Sequence, residues 1–205
     1  MLKTQIIDIT NKDEYEQYLY RCLAPMPFRR YSRRRTYLEY AIPRGLHKKF
    51  LILNGKAVGQ IEYARAEASG YPITGDNVIV MNCVWVLRKA KGHNFGKMLI
   101  EDMVKSEGDA TGFATIALEN HWSPWFQKWQ LEKLGFKPLD KMEVSHKTKH
   151  KEQIFSIYLI WMPIKKNAKP PKLDKEKMLN GEVFCMAHPL YRPQTCDENV
   201  FEAKW

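Results

Sequence analysis

The spacing of apolar residues along the chain predicts several strands. Residues 5–9 alternate apolar and polar side chains, as one strand with one buried face does. The β-patterned runs 50–53 and 57–64 flank Asn54-Gly55, a dipeptide that supplies two positive-φ positions, so they predict a hairpin. Residues 78–87 are almost continuously apolar, which is the pattern of a central strand buried on both faces.

Helices are predicted between and after these strands. Ser123 is a good N-cap and Pro124 suits the first helical position, so a helix begins there and ends at Leu134, before Gly135. The remaining predicted elements are two N-terminal helices, a helix over 97–105 and strands over 112–118, 142–147 and 154–164. This order predicts an α/β or α+β fold with a single mixed sheet.

The composition agrees with one domain and an appendage. The chain has 205 residues, 44% of them hydrophobic and 12% aromatic, which is enough for one core. We expect a domain over residues 1–164, then a basic linker and C-terminal extension over 165–205. No apolar run reaches the roughly 18 residues of a membrane span, and the N-terminus lacks the apolar region of a signal peptide. We therefore expect a cytoplasmic protein that does not enter a membrane.

The charge indicates an anionic partner without identifying it. The formal net charge is +10, which attracts nucleic acid, a phosphate-rich cofactor or an acidic substrate. The cysteines are scattered without a CxxC pair and should be thiols in a reducing compartment: Cys22, Cys83, Cys185 and Cys196. None of them has finger-like spacing to a histidine such as His188, so we expect no metal site.

The segment Lys91-Gly92-His93-Asn94-Phe95-Gly96-Lys97 connects the strand over 78–87 to the helix over 97–105. A glycine-bearing loop at a helix N-terminus directs several backbone N–H groups and the positive end of the helix dipole at one place, which suits a pyrophosphate. The spacing matches neither the P-loop pattern GxxxxGK[ST] nor GxGxxG in a βαβ unit. A P-loop NTPase and a dinucleotide site of that kind are therefore disfavoured, and the alternative to an anion site is an ordinary strand-to-helix turn.

These residues resemble the signature [Q/R]-x-x-G-x-[G/A] of the GNAT acetyltransferases. Lys91 stands at the first position, and Asn94 replaces the first glycine of the pattern; asparagine adopts a left-handed conformation more readily than most residues. A second motif, Leu131-Glu132-Lys133-Leu134-Gly135-Phe136, is similar to the family's Y-E-K-L-G-F helix end. The resemblance covers roughly residues 5 to 164. The appendage and the Cys- and Trp-containing strand over 78–87 also resemble the YoaP-like subgroup of this superfamily.

The resemblance implies a mostly antiparallel central sheet flanked by helices, and acetyl-CoA as co-substrate. It implies that the main chain of Val84, Trp85 and Val86 binds the pantetheine arm, and that a backbone N–H near Val84 or Val86 polarises the acetyl carbonyl. The residues that would hold the pyrophosphate are Lys91, Gly92, His93, Asn94, Phe95, Gly96 and Lys97. The acceptor would be an amine of a small molecule or peptide that attacks directly. We expect a monomer or homodimer.

The usual catalytic pair of the family is missing. Leu131 occupies the place of the Tyr that protonates the departing thiolate, and no Glu or His interrupts residues 78–87. From position alone, Glu62 or His121 would accept the amine proton, and Cys83 would act as acid or nucleophile. Each has an ordinary alternative: a solvent-facing strand residue, a surface-loop residue and a small core residue. Tyr191 would donate a proton if the tail folds over the cleft.

Two further clusters allow more than one interpretation. Residues 29–35 contain five arginines, which form a solvated helix face, bind an acidic acceptor or the CoA 3′-phosphate, or contact RNA. Trp122, Trp125, Phe126 and Trp129 form core or a cleft wall rather than a cation cage. Two classes of function follow: an N-acetyltransferase, or a GNAT-like module that binds CoA or RNA without catalysis.

Overall fold

The computed structural model describes residues 3–10, 16–19, 32–148, 150–193 and 198–204. The strands are β1 (Thr4–Asp8), β2 (His47–Leu53), β3 (Lys56–Arg65), β4 (Ile73–Thr74), β5 (Val78–Val86), β6 (Gly112–Glu119), β7 (Lys137–His146), β8 (Phe155–Pro163), β9 (Lys172–Leu173) and β10 (Phe201–Ala203). The helices are α1 (Glu16–Leu19), α2 (Ser32–Ala41), α3 (Phe95–Ser106), α4 (Lys128–Glu132) and α5 (Lys175–Met178).

Eight strands form one sheet in the order β1-β2-β3-β5-β6-β8-β7-β10. The neighbouring strands pair antiparallel except β5 and β6, which pair parallel. The predicted mixed, mostly antiparallel sheet flanked by helices is confirmed. The hairpin prediction is confirmed as well, because Asn54 (φ 49°) and Gly55 (φ 78°) connect β2 to β3.

The helices cover the two faces of this sheet separately. Leu38 of α2 packs in a cluster with Phe50 and Ala64, on one face. Leu99 of α3 lies on the other face, 3.2 Å from the point where a Cβ on Gly59 would stand. Glu62 contacts α2 and therefore belongs to the first face, which we call the α2 face. No helix in the described ranges is both long and apolar enough to cross a membrane.

The C-terminal extension packs on the same core as the rest of the chain. Strand β9 pairs with β4, and β10 pairs with β7 at the end of the main sheet. The buried residues of the extension that belong to the main hydrophobic core are Leu173, Met178, Phe184, Leu190, Val200 and Phe201. The described residues from Lys172 onward therefore pack on the core formed by residues 1–164, and the boundary at residue 164 stays a prediction.

The prediction of a helix from Ser123 to Leu134 is wrong in its first half, because α4 begins only at Lys128. The Phe126 carbonyl accepts the Leu118 N–H at 2.8 Å, so residues 123–127 run beside β6. Phe126 has a positive φ of 45°, which a helix does not allow. A tertiary pairing therefore overrides the N-cap and proline signals.

Candidate functional site

A cleft of about 270 Å³ lies between the second half of β5 and the segment that leads into α4. Its lining residues are Val84, Trp85, Val86, Gly96, Pro124, Trp125, Phe126, Gln130, Leu131 and Leu134. The structure therefore brings together the three predicted pantetheine-binding residues, one glycine of the predicted phosphate loop and Leu131 of the second predicted motif.

The cleft exists because β5 and β6 separate. Their parallel pairing covers residues 78–80 and 112–114 only, although β5 continues to Val86 and β6 to Glu119. At the point of separation, the Thr115 hydroxyl donates to the Met81 carbonyl oxygen at 2.7 Å. Beyond it, Trp125 and Phe126 fill the space beside β6, and the cleft remains beside β5.

A β-bulge in β5 lies at the same point. Glu62 is opposite Cys83 and Tyr63 is opposite Met81, so Asn82 is an extra residue without a partner on β3. A bulge bends its strand and increases the local twist, so the second half of β5 turns away from β6. The extra residue thus marks where the cleft opens.

The backbone of β5 directs polar groups toward the cleft. The Leu87 N–H donates to the Val58 carbonyl oxygen at 2.8 Å, toward β3. Because successive residues of a strand direct their backbone groups to opposite sides, the N–H and C=O groups of Val86 and Val84 point toward the cleft. Polar groups so placed suit the amides of a pantetheine arm and the oxygen of a thioester.

The predicted phosphate loop has the geometry of an anion site. Asn94 is the residue before α3 and adopts the left-handed conformation (φ 56°), as the replaced glycine would, and its side chain makes no cap hydrogen bond. The Asn94 side chain therefore does not compete with a ligand for the first N–H groups of this 12-residue helix. A Cβ on Gly96 would meet no atom within 4 Å, and Gly96 lines the cleft.

The side chains of the loop are oriented in different ways. Phe95 is buried in the core, so only its backbone can serve a ligand. Lys91, Gly92, His93 and Asn94 are exposed. Lys97 forms an exposed ion pair with Glu101 at 3.6 Å and is free to exchange it for a phosphate.

Glu62 lies on the α2 face, buried in an ion pair. Its Oε1 is 2.8 Å from Arg34 Nη1 and its Oε2 is 2.5 Å from Arg34 Nη2. Burial alone would raise the pKa of Glu62, but the charge and hydrogen bonds of Arg34 hold that pKa below its ordinary value. The expected alternative of a solvent-facing residue is corrected, and a carboxylate so paired is a weak proton acceptor.

Cys83 is the cross-strand partner of Glu62 and is buried on the same face. Its sulfur accepts a hydrogen bond from Gln60 Nε2 at 3.5 Å. The structure therefore brings two of the three predicted catalytic residues together, at the bulge and outside the cleft lining.

His121 lies beyond the end of β6 and is buried rather than in a surface loop. Its Nδ1 accepts the Ser123 N–H at 3.1 Å, so the proton of the neutral ring is on Nε2, which is 3.4 Å from His146 Nε2. Burial and the nearby His146 and His150 lower its pKa to about 4. The ring is neutral at physiological pH, and its nitrogens already have partners.

Sequence reasoning missed a polar cluster on the α2 face, at the bulge. Its members are Tyr37, Tyr71, Asn82 and His188, from four separate segments. Asn82 was visible as a polar residue inside an apolar run, which was a usable signal. The contribution of His188 was not, because it comes from a distant part of the chain.

The arginine cluster and the aromatic patch divide into buried and exposed members. Arg34 is buried, Arg35 forms an exposed pair with Glu39, and Arg33 donates to the Arg192 carbonyl oxygen at 3.2 Å. Residues 29–31 lie outside the described residues, as do Cys22 and Cys196. Trp125 is buried in the cleft wall, whereas Trp122 and Trp129 are 40% and 53% exposed.

No group of three or more His, Cys, Asp or Glu in the described part of the chain is placed to hold a metal ion. Tyr191, expected near the cleft if the tail folds back, is half-buried, and its N–H donates to the His188 carbonyl oxygen at 3.0 Å. The tail does fold back, onto the α2 face.

Comparison with known proteins gives structural matches alone. No family model matches the sequence, and no curated protein matches it. The ribosomal-protein-S18-alanine N-acetyltransferase of Escherichia coli is 12% identical, with a TM-score of 0.55 over 82% of this chain and 100% of its own. Arabidopsis thaliana NAA60, solved with acetyl-CoA, is 13% identical, with a TM-score of 0.52 over 79% of this chain and 100% of its own.

Arabidopsis thaliana Naa50, solved with the bisubstrate analogue CoA-Ac-MVNAL, is 15% identical, with a TM-score of 0.51 over 78% of this chain and 99% of its own. At such identities the likeness concerns the arrangement of the backbone. The chain has the fold of the GNAT acetyltransferases.

Proposed function

We propose that this chain is an acetyl-CoA-dependent N-acetyltransferase of the GNAT superfamily. The observation that carries the proposal is the cleft at the separation of β5 and β6. Backbone groups of Val84 and Val86, which have no β6 partner, line its wall, and Gly96 of the helix N-terminus is also in its lining. A CoA thioester carries a group for each feature: a pyrophosphate for the helix N-terminus and a thioester carbonyl for the backbone donors. The likeness to acetyltransferase structures supports the same function.

The residues present fit the co-substrate. The uncapped N-terminus of α3 and the loop 91–97 would bind the pyrophosphate. The indole Nε1 atoms of Trp85 and Trp125 are buried, and neither has a hydrogen-bond partner among the described residues, although both side chains line the cleft. Since an unpaired buried N–H costs about 1–3 kcal/mol, we infer that pantetheine carbonyl oxygens accept from them.

The backbone of β5 would serve the reacting carbonyl. In the proposed reaction the nitrogen of a neutral amine attacks the thioester carbon, the C–S bond breaks, and an amide and a CoA thiolate result. The N–H of Val84 or Val86 would donate to the carbonyl oxygen as negative charge develops there, and loss of one such donor costs roughly 2.7–4 kcal/mol in other enzymes. The amine proton leaves to water, and the thiolate takes a proton from water.

The acid–base groups of the family have no direct replacement. Leu131 lines the cleft without a hydroxyl. The pairing of Glu62 with Arg34 and the engaged nitrogens of His121 disfavour both as direct bases. Cys83 lies outside the cleft lining and stays a weaker candidate for acid or nucleophile. We therefore propose that water carries the amine proton, with positioning supplying most of the rate.

For the acceptor we propose a primary amine of a peptide or small molecule, reacting in its neutral form. Glu182, on the tail that covers the α2 face, is buried, and burial raises its pKa well above the ordinary value. His121 and His188 are neutral because their pKa values are lowered to about 4 and about 3. None of these three groups readily takes a proton from an ammonium at neutral pH, so the acceptor must lose its proton to water. An α-amino group, with a pKa near 8, does so more easily than a lysine side chain.

Two of the similar structures agree with an α-amine, because one is an enzyme for the S18 alanine and the other carries a CoA–peptide conjugate. An acidic acceptor is the second class that we propose to test, given the net charge of +10. Membership of the YoaP-like subgroup, a cytoplasmic location and a monomeric or homodimeric state complete the proposal.

A second candidate is a CoA- or RNA-binding module without catalysis. Leu131 in the cleft favours it, because this position lacks the hydroxyl of the family's Tyr. The two candidates differ in one product. The protein is mixed with acetyl-CoA and a panel of peptides and small amines, and free CoA thiol is measured. Amine-dependent thiol release, with an acetylated product seen by mass spectrometry, supports the enzyme; CoA binding without release supports the module.

A further inference from the structure

Asn82, the extra residue of the β5 bulge, is fully buried, and its two side-chain polar atoms and its carbonyl oxygen are hydrogen-bonded. Its Oδ1 accepts the Gly70 N–H at 3.3 Å, and its Nδ2 donates to the Tyr37 hydroxyl. Its carbonyl oxygen accepts from the Tyr71 hydroxyl at 3.1 Å. Three hydrogen bonds from outside the sheet thus hold the residue at which β5 leaves β6.

The Tyr71 hydroxyl is held in turn by His188 of the tail. Tyr71 Oη is 2.8 Å from His188 Nε2, and the Leu190 N–H donates to His188 Nδ1 at 3.1 Å. Because Nδ1 accepts, the proton of the neutral ring is on Nε2, which donates to Tyr71 Oη. The Tyr71 proton is then directed at the Asn82 carbonyl, so the hydrogen bonds run in one defined order from tail to bulge.

The tail is positioned to keep this order. A Cβ on Gly70 would stand 2.1 Å from Phe184, so the tail packs directly against the backbone whose N–H reaches Asn82. Phe184 also contacts the rings of Tyr37 and Tyr71, with centroids 5.4 and 5.6 Å away. The ring of His188 lies 5.1 Å from that of Trp125, which forms the opposite wall of the cleft.

We propose that His188 and Tyr71 are positioning residues for the cofactor cleft. Through Asn82 they fix the bulge that separates β5 from β6, and through Trp125 the same imidazole supports the other wall. The C-terminal segment therefore determines the width of a cleft to which it contributes no lining residue among those described. That the ligand of the cleft is CoA rests on the proposed function; the control of the bulge does not.

The test uses the full chain and two readouts. Tyr71→Phe removes the hydroxyl alone, His188→Ala removes the donor, and His188→Gln restores an N–H donor at a similar distance. Leu190→Val is the matched control, since it loosens the same buried part of the tail without touching the hydrogen bonds. Backbone hydrogen exchange of residues 78–87 is measured without ligand, and CoA affinity is measured by calorimetry.

We expect Tyr71→Phe and His188→Ala to speed exchange of residues 78–87 at least tenfold and to weaken CoA binding five- to tenfold. His188→Gln should recover most of the slow exchange and most of the CoA affinity, and Leu190→Val should leave exchange and affinity unchanged. Wild-type exchange at 78–87 in Tyr71→Phe, or an equal effect of Leu190→Val, overturns the inference. If exchange responds as expected but the wild type binds no CoA, the inference stands and the proposed function fails. If the wild type binds CoA but exchange of residues 78–87 does not respond to Tyr71→Phe, the proposed function stands and the inference fails.

Discussion

Arg34 of α2 and Glu62 of β3 form a buried bidentate ion pair, with Nη1–Oε1 and Nη2–Oε2 distances of 2.8 and 2.5 Å. Arg34 also donates from Nε and Nη2 to the Leu19 carbonyl oxygen, at 3.1 and 2.8 Å. One guanidinium therefore joins α1, α2 and the sheet beneath the α2 face. A group placed in this way stabilises the helix layer, and its loss should first affect folding.

Glu62→Gln should lower the free energy of unfolding by about 3–5 kcal/mol at pH 7, because it leaves the Arg34 charge buried without its partner. The folded pKa of Glu62 lies below its ordinary value of 4.5, so its stabilisation is present above pH 4.5 and is lost as pH falls through the folded pKa. Urea denaturation of both proteins at pH 7 and in acid measures this. If the difference in free energy of unfolding between the two proteins stays equally large in acid, the ion-pair account is contradicted.

Replacing Gly96 should test the cofactor cleft. Gly96→Val should weaken CoA binding at least tenfold, about 1.4 kcal/mol, because the side chain would stand in open space that lines the cleft. The fold should be retained, since a Cβ there meets no atom. Calorimetry measures the affinity, and Gly96→Ala, which adds one methyl, is the matched control with a smaller expected loss. Equal affinities in all three proteins would place CoA elsewhere.

CoA itself should stabilise the protein against heat. A ligand at a hundred times its Kd adds about 2.7 kcal/mol to the free energy of unfolding, and the melting temperature rises accordingly. ATP should stabilise much less, because it offers phosphates to the α3 N-terminus without a pantetheine for the wall of Val84 and Val86. If millimolar CoA does not raise the melting temperature, the proposed function is contradicted.

The pH profile should show an ascending limb without a clear descending limb. The CoA thiol has a pKa near 8.5 and leaves without strong acid help, so deprotonation of the acceptor ammonium limits the rate. His121→Ala and Glu62→Gln should keep the wild-type profile on a verified acceptor, since both groups are already engaged. In a variant that remains folded under the assay conditions, a loss of about 10²–10⁴-fold in kcat/KM, most severe at low pH, would identify the altered residue as the base after all.

Local chemistry made much of the fold predictable. Asn54-Gly55 predicted a hairpin and forms one, because the dipeptide determines the turn by itself. Asn94 adopts the left-handed conformation that an asparagine in place of glycine allows. By contrast, Ser123-Pro124 predicted a helix that a tertiary bond between Leu118 and Phe126 prevents.

The polar contacts around the site join residues that are far apart in the sequence, so no local pattern could predict them. Arg34 and Glu62 are 28 residues apart, and Tyr71 and His188 are 117 apart. Position on a strand made Glu62 a candidate base, but a partner from another layer, Arg34, decides whether its carboxylate can accept a proton. The resemblance drew attention to the backbone of Val84, Trp85 and Val86, and these residues do line the cleft; their role toward a ligand stays a prediction.

The outer edge of β7 shows how the sheet avoids growing into a neighbouring molecule. Within the described chain, β10 pairs only with residues 144–146 of β7, and the first half of that edge is exposed. This half carries Lys137, Pro138, Asp140 and Lys141, with an irregularity of register between Pro138 and Asp140. Charges and a proline without an N–H oppose strand addition from another copy at this edge, and the irregular pairing with β8 bends the strand there, so the edge resists aggregation.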